Sequence, residues 1–214
     1  MKIDKEKPLP DHTKLDYDEC CAFLILKELF PERYPMLQIS DKPDLQGIDR
    51  GIEVTIANDG KYQEALNNWV KAYTCADEEK QKNYIERMKQ LGVTYTGGVQ
   101  VWPVEENPSM DNIKNAVNKK MKKVSLGKYK KFREYELFIF TNTFLHEKLL
   151  REVIEFFENL DVFDYFVRVY ILETGFKLHI FQRNSHEIVD IDIFEQTKRN
   201  VRARKMVEEA EVVE

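Results

Sequence analysis

No run of about 18 apolar residues occurs, so no segment has the composition of a membrane-spanning helix. The N-terminal stretch "MKIDKEKPLPDHTK" is polar and lacks the apolar centre of a signal peptide. Cysteine is scarce, with three in all. Cys20 and Cys21 are adjacent and poorly placed to bridge each other, and Cys75 leaves an odd count. Reduced thiols and a cytoplasmic location are the expectation. The four histidines are scattered without an HExxH pattern or a Cys/His cluster, which argues against structural zinc. Gly97–Gly98 is not followed by a phosphate-loop pattern, and no Ser-His-Asp grouping is legible. The net charge of -5 gives no global signal for nucleic acid, so the distribution of charge has to carry any such signal.

What is present is core-forming material. Apolar residues make up 43% and aromatics 12% of 214 residues, enough for one domain with a sizeable core. Residues 1–14 read as a loose leader interrupted by Pro8 and Pro10. A helix is expected over 15–30, stopped by Pro31. Short strands follow at 36–40, 44–48 and 51–57, then helices at 61–73, 77–91 and 110–124, with a strand at 96–104. Beyond them come a strand at 135–142, a helix at 144–160, strands at 165–172, 176–182 and 187–193, and a C-terminal helix fraying into an acidic tail over 201–214. The order predicts a single α/β domain over 15–200, a mixed sheet flanked by helices, with no internal repeat.

Two segments place carboxylates awkwardly. On the first helix, Leu15, Ala22, Leu26, Leu29 and Phe30 share one side, and Glu19 falls near the centre of that stripe. An ionised carboxylate there is costly unless a cation or several donors meet it. In "GIEVTIA", Ile52, Val54 and Ile56 share one strand face, while Glu53 and Thr55 share the other. A turn near Ile48–Asp49 folds "DLQGI" back and sets Asp44 beside Glu53. Neighbouring cross-strand acids repel unless a cation sits between them, and oxygen ligands suit Mg²⁺ or Mn²⁺. A snorkelling Glu19 and an exposed hairpin with two solvated acids are the ordinary alternatives.

A Glu-bearing helix, then Pro43–Asp44, then Glu53-Val54-Thr55 on a strand, then a helix, resembles the PD-(D/E)XK nuclease superfamily over roughly residues 15–75. The resemblance implies a restriction-endonuclease-like core and metal-dependent hydrolysis of phosphodiester bonds in DNA or RNA. Under it, Asp44 and Glu53 are ligands of Mg²⁺ or Mn²⁺. Glu19 is an auxiliary ligand or water-positioning acid, and the Val54 carbonyl an added ligand. Thr55 departs from the pattern, because it stands where the superfamily carries a lysine.

Two explanations for Thr55 stay open. A lysine from elsewhere supplies the charge, Lys71 being the leading candidate beside Lys61 and Lys42; or the chain is a catalytically inactive nucleic-acid-binding or protein-interaction domain. A basic segment bears on both. From Lys114 to Arg133 there is no acid. Ile113, Val117, Met121 and Val124 form an apolar seam, and Lys119, Lys120, Lys122 and Lys123 are expected on the outside. With Lys128, Lys130, Lys131 and Arg133, and with Tyr129 and Phe132 interleaved, they make a candidate nucleic-acid surface. A solvated helix face is the plainer reading of the same lysines.

Overall fold

In the computed structural model, Leu9 and residues 13–96, 99–101, 109–127, 131–173 and 177–212 are described. Most of the expected leader, the middle and end of the 96–104 strand, Lys128 and Lys130 lie outside them. The chain is α/β, with a seven-stranded mixed sheet flanked by helices. The strands are β1 (Gln38–Ile39), β2 (Leu45–Gln46), β3 (Arg50–Ile56), β6 (Glu134–Thr141), β7 (Arg168–Glu173), β8 (Lys177–Gln182) and β9 (Ser185–Asp190), in that spatial order. β3, β6 and β7 run parallel, whereas the pairs on either side are antiparallel. β4 (Thr94–Thr96) and β5 (Val99–Val101) form a separate ribbon that had not been expected in this form.

Helices cover both faces. α1 (Tyr17–Leu29) and α7 (Ile193–Val212) lie on one side, where Ala22, Ile25 and Leu26 pack with Ile52, Val54, Phe138 and Tyr170. α4 (Asp111–Ser125), α5 (Glu147–Asn159) and the one-turn α6 (Val162–Tyr165) lie on the other. There Ile113, Val117, Val153 and Phe157 meet Leu137, Ile139, Val169 and Ile171. Burial from both sides explains why the cores of β6 and β7 read as apolar runs rather than alternating ones. α6 occupies the start of the expected 165–172 strand, because Val162 and Phe166 are wholly buried in this core. α2 (Gly60–Thr74) and α3 (Glu78–Gln90) form a helical hairpin with its own small cluster, Ala65, Met88, Leu91 and Val93.

Asp16, Asp59 and Asp77 cap α1, α2 and α3, Asp16 and Asp77 each accepting two backbone N–H groups of the first turn and Asp59 accepting that of Tyr62. α7 continues through position 200. Its Ala203 and Val207 pack on Cys20, Cys21 and Leu24, so the segment from 201 to 212 is part of the packed body. Both of those cysteines are free thiols, and burial pushes them above the ordinary range, Cys20 to about 12.

Charge fastens the same two helices together. Glu28 on α1 accepts a hydrogen bond from Arg199 Nε at 2.7 Å and another from Arg202. Burial alone raises the Glu28 carboxyl, but the two arginines outweigh it and hold the group below the usual carboxylate range. A depressed pKa contributes stability above the unfolded value and loses it as pH falls through the folded one. The Glu28 side chain is 32% exposed, so the contribution is modest. Glu28→Gln is expected to lower stability at pH 7 by about 1 kcal/mol. In urea titrations the variant and wild type should converge as pH falls through the depressed folded pKa of Glu28; equal midpoints at pH 7 would remove the clamp.

Candidate active site

The hairpin between β2 and β3 sets the two motif acids side by side. Leu45 pairs with Ile52 and Gln46 with Gly51, so one further step of this antiparallel register brings Asp44 opposite Glu53. The Asp44 carboxylate is fixed by the strand beside it, its Oδ2 accepting the Val54 N–H at 2.6 Å. The entry to β2 is tight. A Cβ on Gly51 would come within 2.3 Å of Pro43 Cγ and 3.0 Å of Phe132 Cδ2. Glycine at 51 therefore lets the residue before Asp44 lie flat on β3. Gly51→Ala is expected to cost about 1–3 kcal/mol by overpacking. Denaturant melts read this directly, and an unchanged midpoint would show that the hairpin has slack.

Glu53 lies in the middle of β3 on the side covered by α4, and is 1% exposed. Its partner comes from α4. Lys120 Nζ donates to Glu53 Oε2 at 2.6 Å and to Asp44 Oδ2 at 3.2 Å. Lys120 itself is 5% exposed. Glu53 Oε1 is buried with no hydrogen-bond partner. Such an oxygen in a carboxylate already shared with one ammonium still lacks part of its compensation.

Glu19 approaches from the α1 side, half-buried. Its carboxyl is pushed up to about 8, first by burial and next by the nearby Asp44, with Asp16 and Glu53 adding and Lys120 opposing. Glu19, Asp44, Glu53 and Lys120 therefore feel one another's charge. Asp44 and Glu53 converge on a single cation, but no three His, Cys, Asp or Glu side chains among the described residues gather as a metal-ligand group. Glu19 thus stands back from the pair and acts on it through space. Thr55, half-buried, shares the strand face of Glu53 two residues further on.

The structure places the candidate lysines away from the two acids. Lys71 is exposed on α2, its ammonium 5.9 Å from the centre of the Tyr84 ring on α3. Lys61 is exposed on the first turn of α2, and Lys42 pairs in solvent with Asp41 at 3.1 Å. None of these is the buried cation. Lys120 is, although it was expected on the outer, phosphate-contacting face. The signal was available: Lys120 lies seven residues after Ile113, about 20° short of two full helical turns, on the buried line of α4. Of the remaining basic residues, Lys119, Lys122, Lys123, Lys131 and Arg133 are exposed as expected. His179 is buried, with Nε2 3.6 Å from Glu173 Oε1 and Nδ1 3.2 Å from His186. It sits on β8, three strands from β3.

Comparison of the chain with protein-family models, with curated proteins and with solved structures finds no match.

Removing one member of a buried ion pair leaves the other uncompensated. Lys120→Met is expected to destabilise the metal-free protein by about 3–5 kcal/mol, and Glu53→Gln with Lys120→Met to recover most of that loss. A double-mutant cycle in chemical denaturation checks this. Additive single effects would mean that the two side chains do not form a working pair.

Proposed function

We propose that this chain is a divalent-metal-dependent nuclease of the PD-(D/E)XK type, hydrolysing phosphodiester bonds of DNA or RNA. The observation that carries the reading is the Lys120 ammonium held between Asp44 and Glu53. It supplies the charge that Thr55 lacks, from a helix packed over the strand rather than from the strand itself. The motive for an inactive scaffold was the missing lysine, and Lys120 fills that gap.

The residues fit a divalent ion. Asp44 and Glu53 offer two adjacent carboxylates, and Glu53 Oε1 is a buried oxygen with a free lone pair. Held by Asp44 and Glu53, magnesium or manganese would supply Lewis-acid activation of a phosphoryl oxygen and of water. The protein's own groups do the rest. Lys120 brings a positive charge to the phosphate, where negative charge builds as the nucleophile attacks. Glu19, with its carboxyl raised toward neutrality, is suited to hydrogen-bond water beside the acids and to exchange a proton with it. Thr55 offers a hydroxyl to the same water. Lys119, Lys122 and Lys123 on the outside of α4, with Lys131 and Arg133 after it, meet backbone phosphates flanking the bond.

Manganese calorimetry separates the parts of this reading. Wild type is expected to bind Mn²⁺, and Asp44→Ala to lose the heat. Cleavage of single- and double-stranded DNA and RNA should require the ion and fall by at least about 100-fold in Asp44→Ala and Lys120→Ala. Ion binding without cleavage of any of these would leave a nucleic-acid-binding scaffold. No binding at all would sink the metal site.

A further inference from the structure

Lys120 stands where a cation must go. Its ammonium contacts Asp44 Oδ2 and Glu53 Oε2, one oxygen from each of the two carboxylates. A small divalent ion takes oxygen ligands at about 2.0–2.1 Å, inside the reach of that ammonium, and like charges repel strongly in so enclosed a place. We infer that Lys120 is a built-in placeholder: a divalent ion entering between Asp44 and Glu53 displaces the ammonium, which then turns outward. The inference rests on the metal-dependent reading of the site, and concerns how the site is held closed without metal.

Three observations support the exchange. First, an uncompensated Glu53 at 1% exposure is costly, so the metal-free protein needs a resident positive charge, and α4 provides it. Second, the compensation is incomplete, because Glu53 Oε1 has no hydrogen-bond partner. A divalent ion carries more charge than an ammonium and coordinates more than one oxygen of the set. Third, the lysine has somewhere to go. It is carried by a flexible four-carbon stem near the C-terminal end of α4, and the Asp44 carboxylate that its ammonium contacts is 16% exposed, so solvent lies close by. The outward position is the face offered to phosphates. Metal loading and presentation of Lys120 to substrate are then one event, and the site stays neutralised until both are possible.

Chemical accessibility of the lysine reads this without any turnover. The full chain is treated briefly with an amine-acetylating reagent, with and without saturating Mn²⁺, and labelling at each lysine is followed by peptide mass spectrometry. In the metal-free protein Lys120 should be protected relative to Lys119, Lys122 and Lys123. Mn²⁺ should raise labelling at Lys120 several-fold and leave its neighbours unchanged, and Asp44→Ala should abolish the metal effect. Lys120→Met should bind Mn²⁺ about tenfold more tightly by calorimetry, since no ammonium has to be evicted. Should that variant fail to fold, the labelling of wild type still decides. Mn²⁺ heat with Lys120 still protected overturns the placeholder and leaves the metal site standing. Absence of Mn²⁺ heat in wild type overturns both.

Discussion

A carboxylate buried between a sheet and a helix is the constraint around which this structure is arranged. Glu53 occupies a strand position where its neighbours across the sheet, Leu137 and those beyond, contribute to an apolar core. Water cannot solvate it there, and a single ammonium is the compensation the chain provides. That requirement reaches into α4, whose buried line of Ile113, Ala116 and Val117 ends in Lys120. It also reaches into β2, because Asp44 shares the same ammonium. The two acids and the lysine come from three elements, so they assemble only when the hairpin, the central sheet and the covering helix are all in place.

The fold supplies the needed precision by short-range means. The β2–β3 register sets Asp44 against Glu53, the Val54 N–H holds one Asp44 oxygen, and Gly51 leaves room for Pro43. None of these depends on a long side chain finding its place. Glu19 is delivered by the opposite layer, from an α1 whose start is fixed by Asp16 accepting the N–H groups of Asp18 and Glu19. The site thus joins the two layers at the hairpin edge of the sheet. The parallel centre, β3–β6–β7, acts as the rigid frame between them.

Most helices and strands were legible because their apolar spacing was strong and their ends carried recognisable caps or breakers, as Asp59 and Pro31 do. The acids were legible for a different reason. Glu19 and Glu53 each conflict with an apolar surrounding, and such conflicts mark sites. Lys120 was missed because a lysine within a lysine-rich helix raises no such conflict by composition. Only its angular position does, and Met121, on the other flank of the seam, hid it. The β4–β5 ribbon was missed because a three-residue strand carries too little periodicity to register. The position of Lys71 beside the Tyr84 ring is set by tertiary structure alone, since nothing local announces that α2 packs on α3.

The contrast among buried acids is what distinguishes Glu53 from structural charge. Four acids are buried among the described residues: Glu53, Asp59, Glu136 and Glu173. Asp59 receives the Tyr62 N–H on one oxygen and the Asn142 amide on the other. Glu136, on the neighbouring strand, is held by Arg33 at 2.6 Å and by the Tyr34 hydroxyl, with Arg50 3.6 Å away. Glu173 takes the Leu145 N–H at 2.5 Å and faces the His179 ring. Asp59 and Glu136 each spend both oxygens on hydrogen bonds within the protein, while Glu173 spends one and has the His179 ring beside the other. Of the four, Glu53 alone keeps a buried oxygen without a partner. A protein able to satisfy Glu136 with two arginines and a tyrosine had the means to satisfy Glu53 in the same way. One unpartnered buried oxygen beside a single ammonium is what sets Glu53 apart from the other three, and it is the physical ground on which the proposed metal site rests.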